Sequence, residues 1–242
     1  MASHAANLRS HRLDAALLGP MDYAREGSAY CIAGGTALSS QSSNGSIVIQ
    51  IRQGIQNLRT LAVDPSSSSE IVLATIVLRE EFGINPAIVP VMGPLESMLQ
   101  KCDAALLVGD QALRESRGRP AAIDLVESWM ALTGLPYVHH IWCFPEGGLE
   151  EPDIAALTES GERAESLIDP AATSAVSRRE LPHQTPAELS AYLEQFSFTA
   201  TPETEEGLKE YLKYVYYHGI LPDVPDLRYP PSPGVGIQPS EN

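Results

Sequence analysis

The densest runs of chemistry-bearing side chains in this 242-residue sequence are serine clusters. DPSSSSE (Asp64–Glu70) places four serines in a row before the apolar segment IVLATIVLREEF. Ser67 and Glu70 have the S-x-x-E spacing of a capping box, in which the hydroxyl satisfies a free backbone N–H and the glutamate reaches back to the cap. The serines also stand where a helix begins directly after a strand. Hydroxyls of Ser67, Ser68 and Ser69, free N–H groups and the positive end of a helix dipole would together suit a carboxylate ligand. Glu70 opposes that reading, because a carboxylate beside the cap repels an anion. A helix cap and an anion site both stay open; a flexible linker does not.

A second cluster, LSSQSSNGSIVIQ, holds Ser39, Ser40, Ser42, Ser43, Asn44 and Ser46 between two strand-like runs. It reads either as a crossover between lobes that lines a cleft with hydroxyls or as an ordinary turn. The pair His139–His140 invites a metal reading, but successive residues of a strand face opposite ways. His139 would share its face with Cys143, and no third ligand stands at a recognisable spacing, so no metal is expected. Asp110, in VGDQAL, lies where a strand meets a helix, as a cleft residue or as a cap. No GxSxG, GxGxxG or phosphate-loop motif is present, and no cofactor is expected.

These residues need a scaffold, and the hydrophobic pattern supplies one. Short aliphatic strands alternate with amphipathic helices, the signature of a parallel or mixed sheet with covering helices. Strands are expected at LDAALLG, CIAGGTALSS, GSIVIQIR, LRTLAVD, DAALLVG and YVHHIWCF. Helices are expected at AANLRSHR, PLESMLQK, DQALRES and IDLVESWMALTG, the last stopping at Gly134 with Pro136 beyond, and PMDYAREG reads as a helix start or a turn. After the serine run, Ile71, Ala74, Leu78 and Phe82 share one helical face. From about Pro152 the pattern is helical, and residues 222–242 form a proline-rich tail that reads as extended or disordered.

LDAALLGPMDYAR (Leu13–Arg25) and CDAALLVGDQALR (Cys102–Arg114) share DAALL and an arginine at the same offset. Either aliphatic strands coincide by chance, or two units of one design face each other across a cleft. Ligands of such α/β sheets sit outside the carboxyl ends of the strands.

Composition narrows the partners. Hydrophobic residues make up 43% and aromatics 6%, as in an α/β protein with aliphatic strands. No apolar run approaches the roughly 18–20 residues of a membrane span, so no membrane partner is expected. The net charge of −15 argues against nucleic acid. Residues 146–169 carry eight acidic side chains against one arginine and read as a solvated face. Cys31, Cys102 and Cys143 are odd in number and lack CxxC spacing, which fits a reducing, cytoplasmic setting. No charged start precedes an apolar core, so no secretory signal is read.

Four stretches, in this order and spacing, resemble a known family: LDAALLGPMDYAR, TALSSQSSNGSIVIQ, TLAVDPSSSSEIVLATIVLREEF, and DAALLVGDQALR with ESWMALTGLPYVHHIW. EGLKEYLKYVYYHGIL follows in register. The resemblance, from about Ala5 to Leu221, is to the menaquinone-biosynthesis proteins of the futalosine route, chorismate dehydratase above all. It implies an α/β, two-lobed, periplasmic-binding-protein-like (type II) fold with a cleft between lobes. Residues 1–45 and 137–221 would form lobe one and residues 46–136 lobe two, with strands at 46–50 and 137–144 as the hinge. It further implies a lyase that dehydrates chorismate, a small anion, to 3-[(1-carboxyvinyl)oxy]benzoate. The sister activity, release of a dihydroxynaphthoate from a cyclised futalosine derivative, and anion capture without turnover are the alternatives.

By position, Ser46 matches a substrate-facing serine, Ser67, Ser68 and Ser69 match a serine/threonine loop, and Gly109 with Asp110 match a glycine–aspartate of the second lobe. Glu70 departs from a small hydroxyl residue, and Ser42–Ser43–Asn44 from a stretch built on glycine, proline and valine. The family begins with a strand and a tyrosine–leucine–asparagine–x–x–proline segment that supplies an active-site asparagine, and this sequence starts after that segment. A start site assigned too late is therefore expected. The base stays unassigned; the resemblance allows the substrate's own carboxylate that role.

Overall fold

A computed structural model describes residues 2–26, 29–116, 118–119, 122–178 and 184–230. In chain order its first elements are α1 (Ala2–Arg9), β1 (Ala16–Leu18), α2 (Pro20–Glu26), β2 (Tyr30–Ser40), β3 (Ile47–Ile51), β4 (Thr60–Val63), α3 (Ser68–Phe82), β5 (Ala87–Pro90) and α4 (Leu95–Lys101). There follow β6 (Ala104–Val108), α5 (Asp110–Glu115), β7 (Ala122–Asp124), α6 (Leu125–Thr133), β8 (Tyr137–Pro145), α7 (Glu151–Ala164), α8 (Ile168–Ser177), α9 (Pro186–Leu193), β9 (Ser197–Thr199) and α10 (Pro202–Tyr217).

The strands sort into two sheets. One has the order β1-β8-β2-β9, antiparallel throughout. The other has the order β5-β4-β6-β3-β7, in which β4 runs parallel to β5 and β6, and β3 antiparallel to β6 and β7. The chain crosses between the sheets at 41–46 and again at 134–136. The expected hinge strands are thus bound inside sheets: β3 pairs with β6 from Ile47↔Val108 to Ile51↔Ala104.

One hydrophobic core joins both sheets, with Leu18, Met21, Ile49, Leu61, Trp129 and Tyr211 among its members. Trp129 stands edge-on to both Tyr137 and Tyr211, an arrangement worth about 0.5–1.5 kcal/mol per pair beyond burial. α3 buries Val72, Leu73, Ala74, Ile76, Val77 and Leu78, while Ile71 is half-buried and Phe82 exposed. The expected single stripe therefore widens to most of the helix, because α2, α6 and α10 pack around it. Its end is a left-handed Gly83 at φ 66°, and Gly134 at φ 70° stops α6 as read from the sequence.

Three strands escape the hydrophobic pattern. β5 is four residues closing on a proline, β7 runs straight into α6, and β9 is a three-residue insertion in the helical region. The tail is not loose over residues 222–230. Tyr23 Oη donates to the Asp226 carbonyl (2.8 Å), Ile32 N donates to the Arg228 carbonyl (2.7 Å), and Arg228 pairs with Glu146 (2.7 Å). Residues 231–242 of the expected tail lie outside the described residues.

Candidate functional site

The two DAALL units fall on β1 and β6, each followed by a glycine (Gly19 and, after Val108, Gly109) and then a helix, α2 or α5. β1, β4 and β6 end at one place, where a cavity of about 250 Å³ opens. Gly19 and Asp22 line it from the four-stranded side, Ser66–Glu70 and Gly109 from the five-stranded side, and His140 from β8. This is the strand-end location expected of a ligand site in an α/β sheet. Gly109 takes φ 58° there, a conformation that costs glycine nothing and other residues more.

The serine run is organised by Asp64 rather than by a capping box. Asp64 Oδ1 accepts from Ser66 N (2.9 Å) and Ser66 Oγ (2.8 Å), and its carbonyl accepts from Ser67 N (3.1 Å). Ser67 is the N-cap of α3 but its side chain makes no capping hydrogen bond, which corrects the S-x-x-E reading. Ser67 lines the cavity instead. Ser68 Oγ donates to Asp22 Oδ1 (3.1 Å), and Ser69 Oγ accepts from Met21 N (3.1 Å). Ser69 thereby caps α2 from the opposite side of the cleft. Gly19 permits this approach, since a Cβ there would lie 2.6 Å from Ser69 Oγ.

Glu70 is buried, and burial pushes its carboxyl above the ordinary range, toward the neutral form. That works against the repulsion its sequence position implied. Tyr211 Oη donates to the Ser69 carbonyl (2.8 Å). His140 Nδ1 is buried without a hydrogen-bond partner among the described residues, and burial lowers its imidazole to about 4. His140 contributes to the cavity wall as a neutral imidazole. His139 points the other way: its Nε2 meets Ser40 Oγ at 2.6 Å, and burial lowers it to about 3. Among the described residues no group of three His, Cys, Asp or Glu could hold a metal ion.

Of the residues singled out from the sequence, Ser67, Ser68, Ser69 and Gly109 converge on this cavity. Ser46 and Asp110 stand beside it. Ser46 Oγ and N both donate to Asn44 Oδ1 (2.6 and 3.0 Å), and its carbonyl accepts from Gly109 N (2.7 Å). Asp110 is exposed at the first turn of α5. In the sequence, only the internal echo points to Gly19 and Asp22, and His140 stands out only as a potential metal ligand.

A profile of the menaquinone biosynthesis family matches residues 2–217. In fold the chain is similar to several solved structures. An ABC transporter protein from Parabacteroides distasonis superposes with a TM-score of 0.66 at 13% identity, over 96% of this chain and 85% of that one. The ligand binding component of an ABC-type import system from Staphylococcus aureus gives 0.61 at 14%, over 96% and 83%. The periplasmic aliphatic sulphonate binding protein of Escherichia coli gives 0.57 at 14%, over 98% and 82%. The fold is the two-lobed type II arrangement of solute-binding proteins, and by the profile match the chain belongs to the menaquinone biosynthesis family.

Proposed function

We propose that the chain is a cytoplasmic chorismate dehydratase of menaquinone biosynthesis, with residues 1–45 and 137–221 as one lobe and 46–136 as the other. The observation that carries this is the meeting of a helix N-terminus, the Ser67 hydroxyl and a neutral histidine at the strand ends of a family member. A substrate carboxylate would sit at the start of α3, on the hydroxyl of Ser67 and the adjacent backbone N–H groups. The reaction breaks one ring C–H bond, whose electron pair becomes a ring double bond as the C–O bond to the hydroxyl breaks. In this reading His140, the imidazole of the cavity lining, takes the ring proton, and Glu70, biased toward its neutral form, protonates the departing hydroxyl as water. Aromatisation supplies most of the driving force, so the protein's share is chiefly positioning. A cavity of about 250 Å³ favours chorismate over the larger futalosine-derived substrate of the sister activity.

The test is a turnover panel of chorismate and cyclised dehypoxanthine futalosine, run on the protein and on His140→Ala. Water loss from chorismate alone, reduced by about 10²–10⁴-fold in the variant, is the expected result. Turnover of the futalosine derivative would assign the sister activity, and binding without turnover of either compound would assign capture.

A further inference from the structure

Where α7 covers the four-stranded sheet, the buried cluster is small. It holds Cys31 and Ala33 of β2 and Phe144 of β8, with Leu149 and Ile154 packed against it. Cys31 and Ala33 are short side chains, so sheet and helix do not close on each other. A cavity of about 630 Å³ opens there, with Cys31, Gly34, Phe144, Leu149, Ile154 and Tyr229 in its lining. That size falls within the roughly 300–1,000 Å³ of small-molecule sites. The cavity shares no lining residue with the one at the serine loop. The tail closes one side: Ile32 N donates to the Arg228 carbonyl (2.7 Å), which sets Tyr229 and Pro230 against the opening.

The two glycines of β2 differ in what requires them. They lie in a bulge, where β2 advances from Ile32 to Ala37 while β8 moves only from Cys143 to Ile141. Gly35 has φ 79°, and a Cβ there would lie 2.5 Å from Thr158 Cγ2, so the approach of α7 accounts for it. Gly34 has neither reason. It is absent from the positive-φ glycines, and a Cβ on it would meet no heavy atom within 4 Å. A glycine weakens a strand, and one that no neighbour demands marks close approach by something else. Gly34 lines the cavity. The charged residues of the lining are Glu146 and Glu151, with no lysine or arginine among the described residues that form it. Desolvating an anion there is costly, whereas apolar space of this kind takes apolar molecules in preference to water. We propose that this cavity is a second ligand site, for an uncharged and largely apolar small molecule seated against Gly34 and Phe144 beneath Tyr229. The site does not depend on which substrate the cleft turns over.

Fluorescence titration with N-phenyl-α-naphthylamine, an uncharged apolar probe, tests the site. Anilinonaphthalene sulfonate, the same rings carrying a sulfonate, is the matched anion. The protein should bind the uncharged probe saturably and the anion at least about tenfold more weakly. Gly34→Leu grows a side chain into the space and should weaken the uncharged probe about tenfold at an unchanged melting temperature. Ile154→Asn, which puts a polar group on the α7 wall, should act in the same direction and carries the test if Gly34→Leu does not fold. Absence of saturable binding, equal affinity for the two probes, or affinity unchanged in the folded variants overturns the proposal. So does displacement of the uncharged probe by the dehydrated product, which would place an anion in this cavity.

Discussion

Ser67 and Ser69 stand two positions apart with different tasks. Ser69 Oγ takes the backbone N–H of Met21 across the cleft, whereas the Ser67 hydroxyl has no cap to serve. Ser69→Ala should therefore lower stability by about 1–3 kcal/mol, the cost of a buried N–H left unpaired. Ser67→Ala should leave stability within about 0.5 kcal/mol and weaken binding of the dehydrated product several-fold. Urea unfolding and calorimetry on both variants check the division, and the reverse pattern would contradict it. The two histidines set a pH dependence. Burial holds His139 at about 3 and His140 at about 4, below an unfolded value of about 6.5. The unfolded chain therefore binds more protons between those values. Stability from each imidazole is complete above about pH 6.5 and declines as pH falls toward 4, by at most about 1.4 kcal/mol per pH unit. Glu70, raised by burial, acts the opposite way and loses its contribution as pH rises. With two imidazoles against one carboxyl, the urea midpoint should be lower at pH 5.5 than at pH 7. Equal midpoints would mean that the imidazoles are not held neutral.

At the scale of elements, the strand–glycine–helix unit is legible because it occurs twice, and both copies deliver their glycine to the cavity wall. The serine run is legible as a helix start, since α3 begins at Ser68. The partner each serine takes is not. Asp64 replaces the capping box through an Asp-Pro turn, which competes with the S-x-x-E spacing, and Met21 and Asp22 lie beside a different sheet. β5, β7 and β9 are hidden for a simpler reason: three or four residues are too few to establish a period of two. α10 depends on a close approach of the same kind as Gly19. A Cβ on Gly207 would lie 2.3 Å from the Pro136 carbonyl, at the second crossing between the sheets. In an exposed helix Gly→Ala stabilises by about 1 kcal/mol. Here the backbone contact should reverse the sign, overpacking costing about 1–3 kcal/mol, and Gly207→Ala should lower the melting temperature. A rise would show that α10 can move away from the crossing.

Over the whole molecule, the two sheets are held together around the cleft by the bonds that shape it. Ser69 to Met21, Ser68 to Asp22 and Tyr211 to Ser69 all join residues far apart in sequence. Much of the acidic stretch 146–169 lies exposed on α7 and the turns around it, with Glu146 paired to Arg228 of the tail. The fold class is readable because aliphatic strands, helix stops and an internal echo agree with one another. The site is readable only in part, because hydroxyls at strand ends announce themselves by type, whereas a buried glutamate and an unpartnered imidazole acquire their character from burial. The central claim is that a small carboxylate ligand occupies the space between the serine loop and His140. Crystals of the protein soaked with the dehydrated product, 3-[(1-carboxyvinyl)oxy]benzoate, test it most directly. The expected result is ligand density with a carboxylate at Ser67 and the start of α3, and the ring beside His140. Density in the apolar pocket under Tyr229 and Phe144 instead, or a cleft left empty at saturating ligand, would contradict it.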